Sequence, residues 1–213
     1  MTAPLRRIAF LLSGSGSTLL NLLAAIERGE VPGEVVVVLS DREGVRGLEH
    51  ARARGLPAVV LERAAHRGRE AYGRALECAL APHRPDLVVL GGFLTLFSIP
   101  PSLAGRVLNV HPSLLPRHGG PGCWGLHVHR AVLAAGDTES GCTVHVVTDE
   151  VDGGPIVAQC SVPVRAGDTP EALAARVQEA ERTLYPPAIA AFLRREAWVE
   201  QGRLAWRQGP GPA

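Results

Sequence analysis

Short apolar runs alternate with stretches of helical period along the first half of the chain. Ile8–Leu12, Glu34–Leu39, Ala58–Leu61, Leu87–Leu90 and Val107–Val110 are predicted strands, several of them apolar on successive residues. Such continuity means burial on both faces, as in a parallel sheet covered by helices. Between the runs, Thr18–Arg28, Val45–Arg54 and Arg69–Leu80 carry helical periodicity, with Gly29 and Gly55 where helix ends belong.

After Pro116 the pattern changes. Arg117–Gly125 is a glycine-rich loop and Leu126–Ala135 reads as a helix. Thr143–Thr148 and Ile156–Val164 alternate like two strands around Asp149–Pro155. Thr169 and Pro170 open a helix as N-cap and first-turn residue. That helix is expected to run to about Leu184, with Pro186-Pro187 interrupting it before Ala188–Arg195. Trp198–Trp206 reads as a final strand and 208–213 as a disordered Gly/Pro tail. The expected fold is α/β: a Rossmann-like, mostly parallel sheet with helices on both faces and a C-terminal antiparallel extension. One domain is expected over 1–213, with a nucleotide-phosphate half (1–110) and a second, catalytic half (111–207).

In such a sheet ligands bind beyond the carboxyl ends of the strands, where strand order reverses. Three loops should meet there: Ser13–Thr18, Gly91–Phe97 and Asn109–Pro116. Composition narrows the chemistry. All 22 basic residues are arginine, which removes Schiff-base catalysis and the lysine of a Walker A loop. A net charge of +1 gives no general pull toward nucleic acid or anionic membrane. Four dispersed cysteines without a C-x-x-C pair, no signal peptide and no long apolar run predict a reduced, cytoplasmic protein.

Asn109-Val110-His111-Pro112-Ser113-Leu114-Leu115-Pro116 is the most informative stretch. Residues i and i+2 of a strand point to one side, so Asn109 and His111 can face one reacting centre at a strand end. An amide N–H for a developing oxyanion and an imidazole that moves a proton suit acyl-type chemistry. Asp152, in Asp149-Glu150-Val151-Asp152-Gly153-Gly154-Pro155, belongs either to a solvated hairpin turn or to the same centre, where its charge would favour the protonated imidazole. Ser13-Gly14-Ser15-Gly16-Ser17-Thr18 opens the first helix and can cradle a phosphate. It lacks the third glycine of a dinucleotide fingerprint, and a plain N-capped turn is the alternative. Leu94, Leu96 and Phe97 either plug the core or line a slot for a flat ligand. His118, His127, His129 and Cys123 invite a metal reading, which is disfavoured because a zinc site wants three or four ligands and a second shell.

Taken together, Ser13–Thr18, Arg69–Tyr72, Gly92-Phe93, Asn109–Pro116, Gly141–Asp152 with the following Gly-Gly-Pro, and Gln178–Glu181 before Tyr185-Pro186 resemble the folate-dependent glycinamide ribonucleotide transformylases. The resemblance covers Ile8 to about Leu193. It implies that backbone groups of Ser17, Thr18 and Leu19, together with Gln178, Glu179, Ala180 and Glu181, hold the ribonucleotide. It implies that Arg69, Leu94, Thr95, Leu96, Phe97, Asn109, Thr148, Asp149, Glu150, Val151 and Asp152 hold 10-formyltetrahydrofolate as co-substrate. Asn109, His111 and Asp152 would be catalytic, without a metal, a nucleic-acid partner or a membrane; a homodimer is left open. Thr18 stands where the family usually has asparagine, Thr95 where a basic residue often stands, and the loop His118–Trp124 is longer than in the shortest relatives. Methionyl-tRNA formyltransferase and formyltetrahydrofolate deformylase resemble the same core but carry further domains, and the chain length argues against both. A binding module without turnover would have no need of the three catalytic side chains. A dehydrogenase is weakened by the incomplete dinucleotide fingerprint.

Overall fold

A computed structural model of the chain describes residues 6–207. Nine strands and five α-helices follow one another along them: β1 (Arg6–Leu12), α1 (Ser17–Glu27), β2 (Gly33–Ser40), α2 (Arg46–Arg52), β3 (Ala58–Val60), α3 (Gly68–Leu80), β4 (Leu87–Leu90), β5 (Val107–His111), α4 (Leu126–Ala134), β6 (Glu139–Val146), β7 (Ile156–Pro163), α5 (Pro170–Leu193), β8 (Ala197–Glu200) and β9 (Arg203–Trp206). Strands β1 to β7 form one sheet in the order β3-β2-β1-β4-β5-β6-β7. The first five are parallel; β5–β6 and β6–β7 pair antiparallel. Strand order reverses between β1 and β4, so the crevice for a ligand opens beyond their carboxyl ends.

Successive residues of β1 divide between two cores, as a pleated strand requires. Ile8, Phe10 and Leu12 face α1, α2, α4 and α5, where Leu22, Leu48, Val132, Val177 and Ile189 pack. Ala9 and Leu11 face α3, where Tyr72, Leu76 and Leu80 pack with Phe97 and Leu103. The Tyr185 hydroxyl pins α5 to the sheet, sitting 3.0 and 2.9 Å from the carbonyls of Leu90 on β4 and Leu108 on β5. Gly29 (φ +76) and Gly55 (φ +69) follow α1 and α2, as expected.

Three expectations need correction. The helix opened by Thr169 and Pro170 is not interrupted: α5 continues through Pro186 and Pro187 to Leu193. Proline at 186 cannot donate to the carbonyl one turn back, at Arg182, and Asn21 Nδ2 of α1 donates to it instead at 2.9 Å. The 198–206 segment is a separate two-stranded hairpin, turned at Gln201 (φ +50) and Gly202 (φ +76), rather than one strand. Two positive φ values in succession define the tight turn whose twist matches a hairpin. Strand β6 starts four residues earlier than expected, at Glu139, and ends at Val146. The expected tail, 208–213, lies outside the described residues.

Candidate active site

A cavity of about 840 Å³ opens beyond the carboxyl ends of β1, β4 and β5, and all three expected loops line it. They are tied directly to one another. Ser13 donates its N–H to the Gly92 carbonyl at 3.1 Å, and Leu94 donates its N–H to Ser13 Oγ at 2.9 Å. Asp41, buried at the end of β2, accepts from Thr95 Oγ1 at 2.7 Å and from both Nε and Nη2 of Arg42 at 2.9 and 3.1 Å. Burial alone would raise the Asp41 carboxyl, but the hydrogen bonds from Arg42, Thr95 and Ser13 outweigh it and hold it below its usual range. Thr95 and the Nε–Nη2 edge of Arg42 are therefore both spent on Asp41, although both residues line the cavity.

The residues lining this cavity come from elements on both sides of the sheet. On the side of α1, α4 and α5 the wall is Gly14–Thr18, Leu126, His129, Ala174, Gln178 and Glu181. On the side of α3 it is Arg69, Phe93–Phe97 and Val147. In the first compartment, Gly16 (φ +78) precedes α1, and a Cβ there would come within 2.6 Å of Gly47 Cα. Only glycine fits both the left-handed backbone and that close approach. Leu20 is the first residue of α1 to bond back within the helix, to the Gly16 carbonyl at 3.0 Å. The N–H groups of Ser17, Thr18 and Leu19 are left to the cavity end of the helix, beside its positive dipole end. The Leu19 side chain itself is buried in the core. Gln178 and Glu181, three residues apart on α5, share its cavity-facing side, and desolvation pushes the Glu181 carboxyl up to about 7. Glu179 faces outward to Arg182 at 2.5 Å, and neither it nor Ala180 lines the cavity.

The second compartment presents Leu94 and Leu96, 46% and 47% exposed, over Phe93 and Phe97, whose rings meet edge-on at 6.1 Å. Thr148, Glu150, Val151 and Asp152 close it from the turn between β6 and β7. Asp149 is turned away from the cavity and accepts the Ile99 N–H at 2.8 Å.

Asn109 and His111 meet Asp152 between the compartments. His111 is buried, with Nδ1 3.5 Å from Asp152 Oδ2 and Nε2 3.0 Å from the His118 carbonyl. Asp152 takes a left-handed φ of +55 and accepts the Gly120 N–H at 2.9 Å on the same Oδ2. The carboxylate is therefore fixed from both sides of the centre.

One participant went unread in the sequence: His145 on β6. Antiparallel pairing places it directly opposite Asn109, and its Nε2 lies 3.2 Å from Asn109 Nδ2 and 3.6 Å from Asp152 Oδ1. Burial lowers the His145 pKa despite the opposing pull of Asp152, so the neutral ring donates Nδ1–H to the Val146 carbonyl at 3.2 Å. Its Nε2 then accepts from Asn109 and aims that carboxamide. The signal was present as a polar 143/145 alternation in an apolar strand. The other histidines do not gather. His118 Nε2 bonds Asp137 at 2.6 Å, His127 packs its ring on Trp124, and His129 is buried, its pKa lowered by desolvation and then by His111. Among the described residues, no group of three or more His, Cys, Asp or Glu could hold a metal ion. No helix among them is long and apolar enough to cross a membrane.

A preorganised amide, imidazole and carboxylate between a glycine-bearing helix N-terminus and an apolar slot suit group transfer. Residues 6–189 match the formyl transferase family, and the chain belongs to it. It is 41% identical over 210 residues to the phosphoribosylglycinamide formyltransferase of Escherichia coli strain K12, covering 95% of this chain and 93% of that one. It is also 41% identical over 194 residues to the trifunctional purine biosynthetic protein adenosine-3 of Drosophila pseudoobscura pseudoobscura, covering 89% of this chain but 14% of that protein. Among solved structures, glycinamide ribonucleotide transformylase 1 from Symbiobacterium toebii superposes with a TM-score of 0.86 at 41% identity, covering 95% of this chain and 94% of that one.

Proposed function

We propose that the protein transfers the formyl group of 10-formyltetrahydrofolate to the amine of glycinamide ribonucleotide. The products are formylglycinamide ribonucleotide and tetrahydrofolate, in de novo purine synthesis. The observation that carries this reading is the meeting of Asn109, His111 and Asp152 at the seam between two chemically different compartments of one cavity. The α1 side supplies free amides and a helix N-terminus for a phosphate, with Gln178 and Glu181 positioned for ribose hydroxyls. The α3 side supplies an apolar slot for a pteridine, with Arg69 at its rim for carboxylates.

The nucleophilic amine attacks the formyl carbon, and the carbonyl oxygen gains negative charge. Asn109 donates to that oxygen, its amide already oriented by His145. His111 has an acceptor oxygen facing each ring nitrogen, His118 on one side and Asp152 on the other. The doubly protonated ring satisfies both and stabilises the oxyanion once substrate takes the place of the His118 carbonyl. As the tetrahedral adduct collapses, the amine loses a proton and the departing folate nitrogen gains one, with His111 as carrier and Asp152 stabilising its charge. The two bound substrates convert a bimolecular encounter into an oriented one.

The test is direct. Purified protein is mixed with glycinamide ribonucleotide and 10-formyltetrahydrofolate, and absorbance is followed as the folate loses its one-carbon unit. Formation of formylglycinamide ribonucleotide in equal amount supports the proposal. Folate turnover that proceeds equally without ribonucleotide, releasing formate, would overturn it in favour of hydrolysis.

A further inference from the structure

The glycine-rich segment between β5 and α4 ends in an indole that the mechanism above does not use. Trp124 lines the cavity yet is 51% exposed, a large apolar surface held in water beside a binding site. Its neighbours place it. The Trp124 backbone carbonyl accepts the His127 backbone N–H at 3.2 Å in the turn leading into α4, and the indole meets the His127 ring edge-on at 4.8 Å. Helix α4 packs on α5, and two residues of α4, Leu126 and His129, line the cavity together with Gln178 and Glu181 of α5. The indole thus stands at the start of α4, a helix of the α1/α4/α5 layer, whereas Phe93 and Phe97 pack with α3.

The segment is also fastened to the catalytic centre. Gly120 (φ +95) donates its N–H to Asp152 Oδ2 at 2.9 Å, and the His118 carbonyl meets His111 Nε2 at 3.0 Å. His118 is held in turn by Asp137, which also binds Arg117.

We infer that Trp124 is a substrate-specificity residue: its indole forms a wall against the sugar ring of a phosphorylated ribose bound in the α1-side compartment. A ribose offers an apolar C–H face that packs on an aromatic ring, and closing that contact removes the exposed indole surface from water. The inference rests on the proposed ribonucleotide site and adds a residue to it.

The chain has three tryptophans, and Trp198 and Trp206 lie in the hairpin, outside the cavity lining. A Trp198→Phe/Trp206→Phe protein therefore reports on Trp124 alone. Ribose 5-phosphate and glycinamide ribonucleotide should each shift its emission to shorter wavelength, while tetrahydrofolate, corrected for absorption, should not. In the activity assay, Trp124→Ala should raise KM for the ribonucleotide about tenfold with kcat and the folate KM within about twofold, and Trp124→Phe should restore most of the loss. Emission that ignores both ribose phosphates, or that follows the folate instead, overturns the inference while leaving formyl transfer standing. Should the wild-type protein fail to transfer formyl groups, the ribose 5-phosphate titration still decides the indole contact.

Discussion

On the α1 side of the cavity the wall is mostly backbone and short polar side chains, locked by Gly16 against Gly47 and by the Ser13 bonds to the 92–94 loop. On the α3 side it is two leucines nearly half exposed over two phenylalanines. The first compartment is preorganised, so an anion bound there as proposed would meet donors already in place with little reordering. The second gains its affinity from apolar area that only a ligand can cover. The two substrates of the proposed reaction, one small and charged and one large and flat, would ask for these two different solutions.

The contrast predicts that chemistry belongs to the seam and binding to the two walls. His111→Ala is the harshest test. It should lower kcat by about 10²–10⁴-fold, the range for a lost general acid–base group, while both KM values change little. If both KM values rise and kcat holds, the seam is a binding element and the division collapses. Gly16→Ala attacks the rigid wall alone. A Cβ would meet Gly47 Cα at 2.6 Å on a backbone of φ +78, so strain of about 1–3 kcal/mol is expected. The ribonucleotide KM should rise roughly tenfold or more with the folate KM unmoved. Equal effects on both substrates, measured in the same assay, would mean that the walls are not independent. Leu94→Ala/Leu96→Ala should do the converse with a smaller effect, since each side chain is already partly buried. The folate KM should rise about fivefold, at roughly 25 cal/mol per Å² of lost contact, and thermal stability should stay the same.

The same division explains what could be read from residues in order. The parallel half was legible because continuous apolar runs such as Leu87–Leu90 can only be strands covered on both faces. The glycine-bearing turn into α1 and the shared side of Asn109 and His111 were legible because each is local, set by a strand end and its following turn. What failed depended on partners remote in the chain. Pro186 reads as a helix breaker until Asn21, 161 residues from Arg182, is known to take the freed carbonyl. His145 reads as one more polar strand residue until antiparallel pairing puts it across from Asn109. Gln201-Gly202 carries a weaker hairpin signal than Asn-Gly, so β8 and β9 merged into one strand. Gln178 to Glu181 came as a block from the resemblance, whereas only Gln178 and Glu181, one helical turn apart, reach the cavity and Glu179 turns outward to Arg182.

Glu181 gives the finest test of the contrast, because a rigid wall should carry a stability penalty that a soft one does not. Its carboxyl is raised from 4.5 to about 7 by desolvation, so the folded state binds its proton more tightly than the unfolded state does. The sign follows: below pH 4.5 the group is protonated in both states and costs nothing, and stability falls as pH rises from there through about 7. Because the carboxyl borders an open cavity, the loss is put at about 1–2 kcal/mol rather than the full value of the shift. Glu181→Gln removes the titration and keeps the shape. It should leave the melting temperature unchanged at pH 4.5 and raise it by several degrees at pH 8, at roughly 2–4 °C per kcal/mol for a chain of this size. Ribonucleotide binding should weaken in the same variant at pH 8, where the carboxylate would otherwise accept hydrogen bonds from the sugar. A variant stabilised equally at both pH values would show that packing, not a buried charge held ready for substrate, sets the character of this wall.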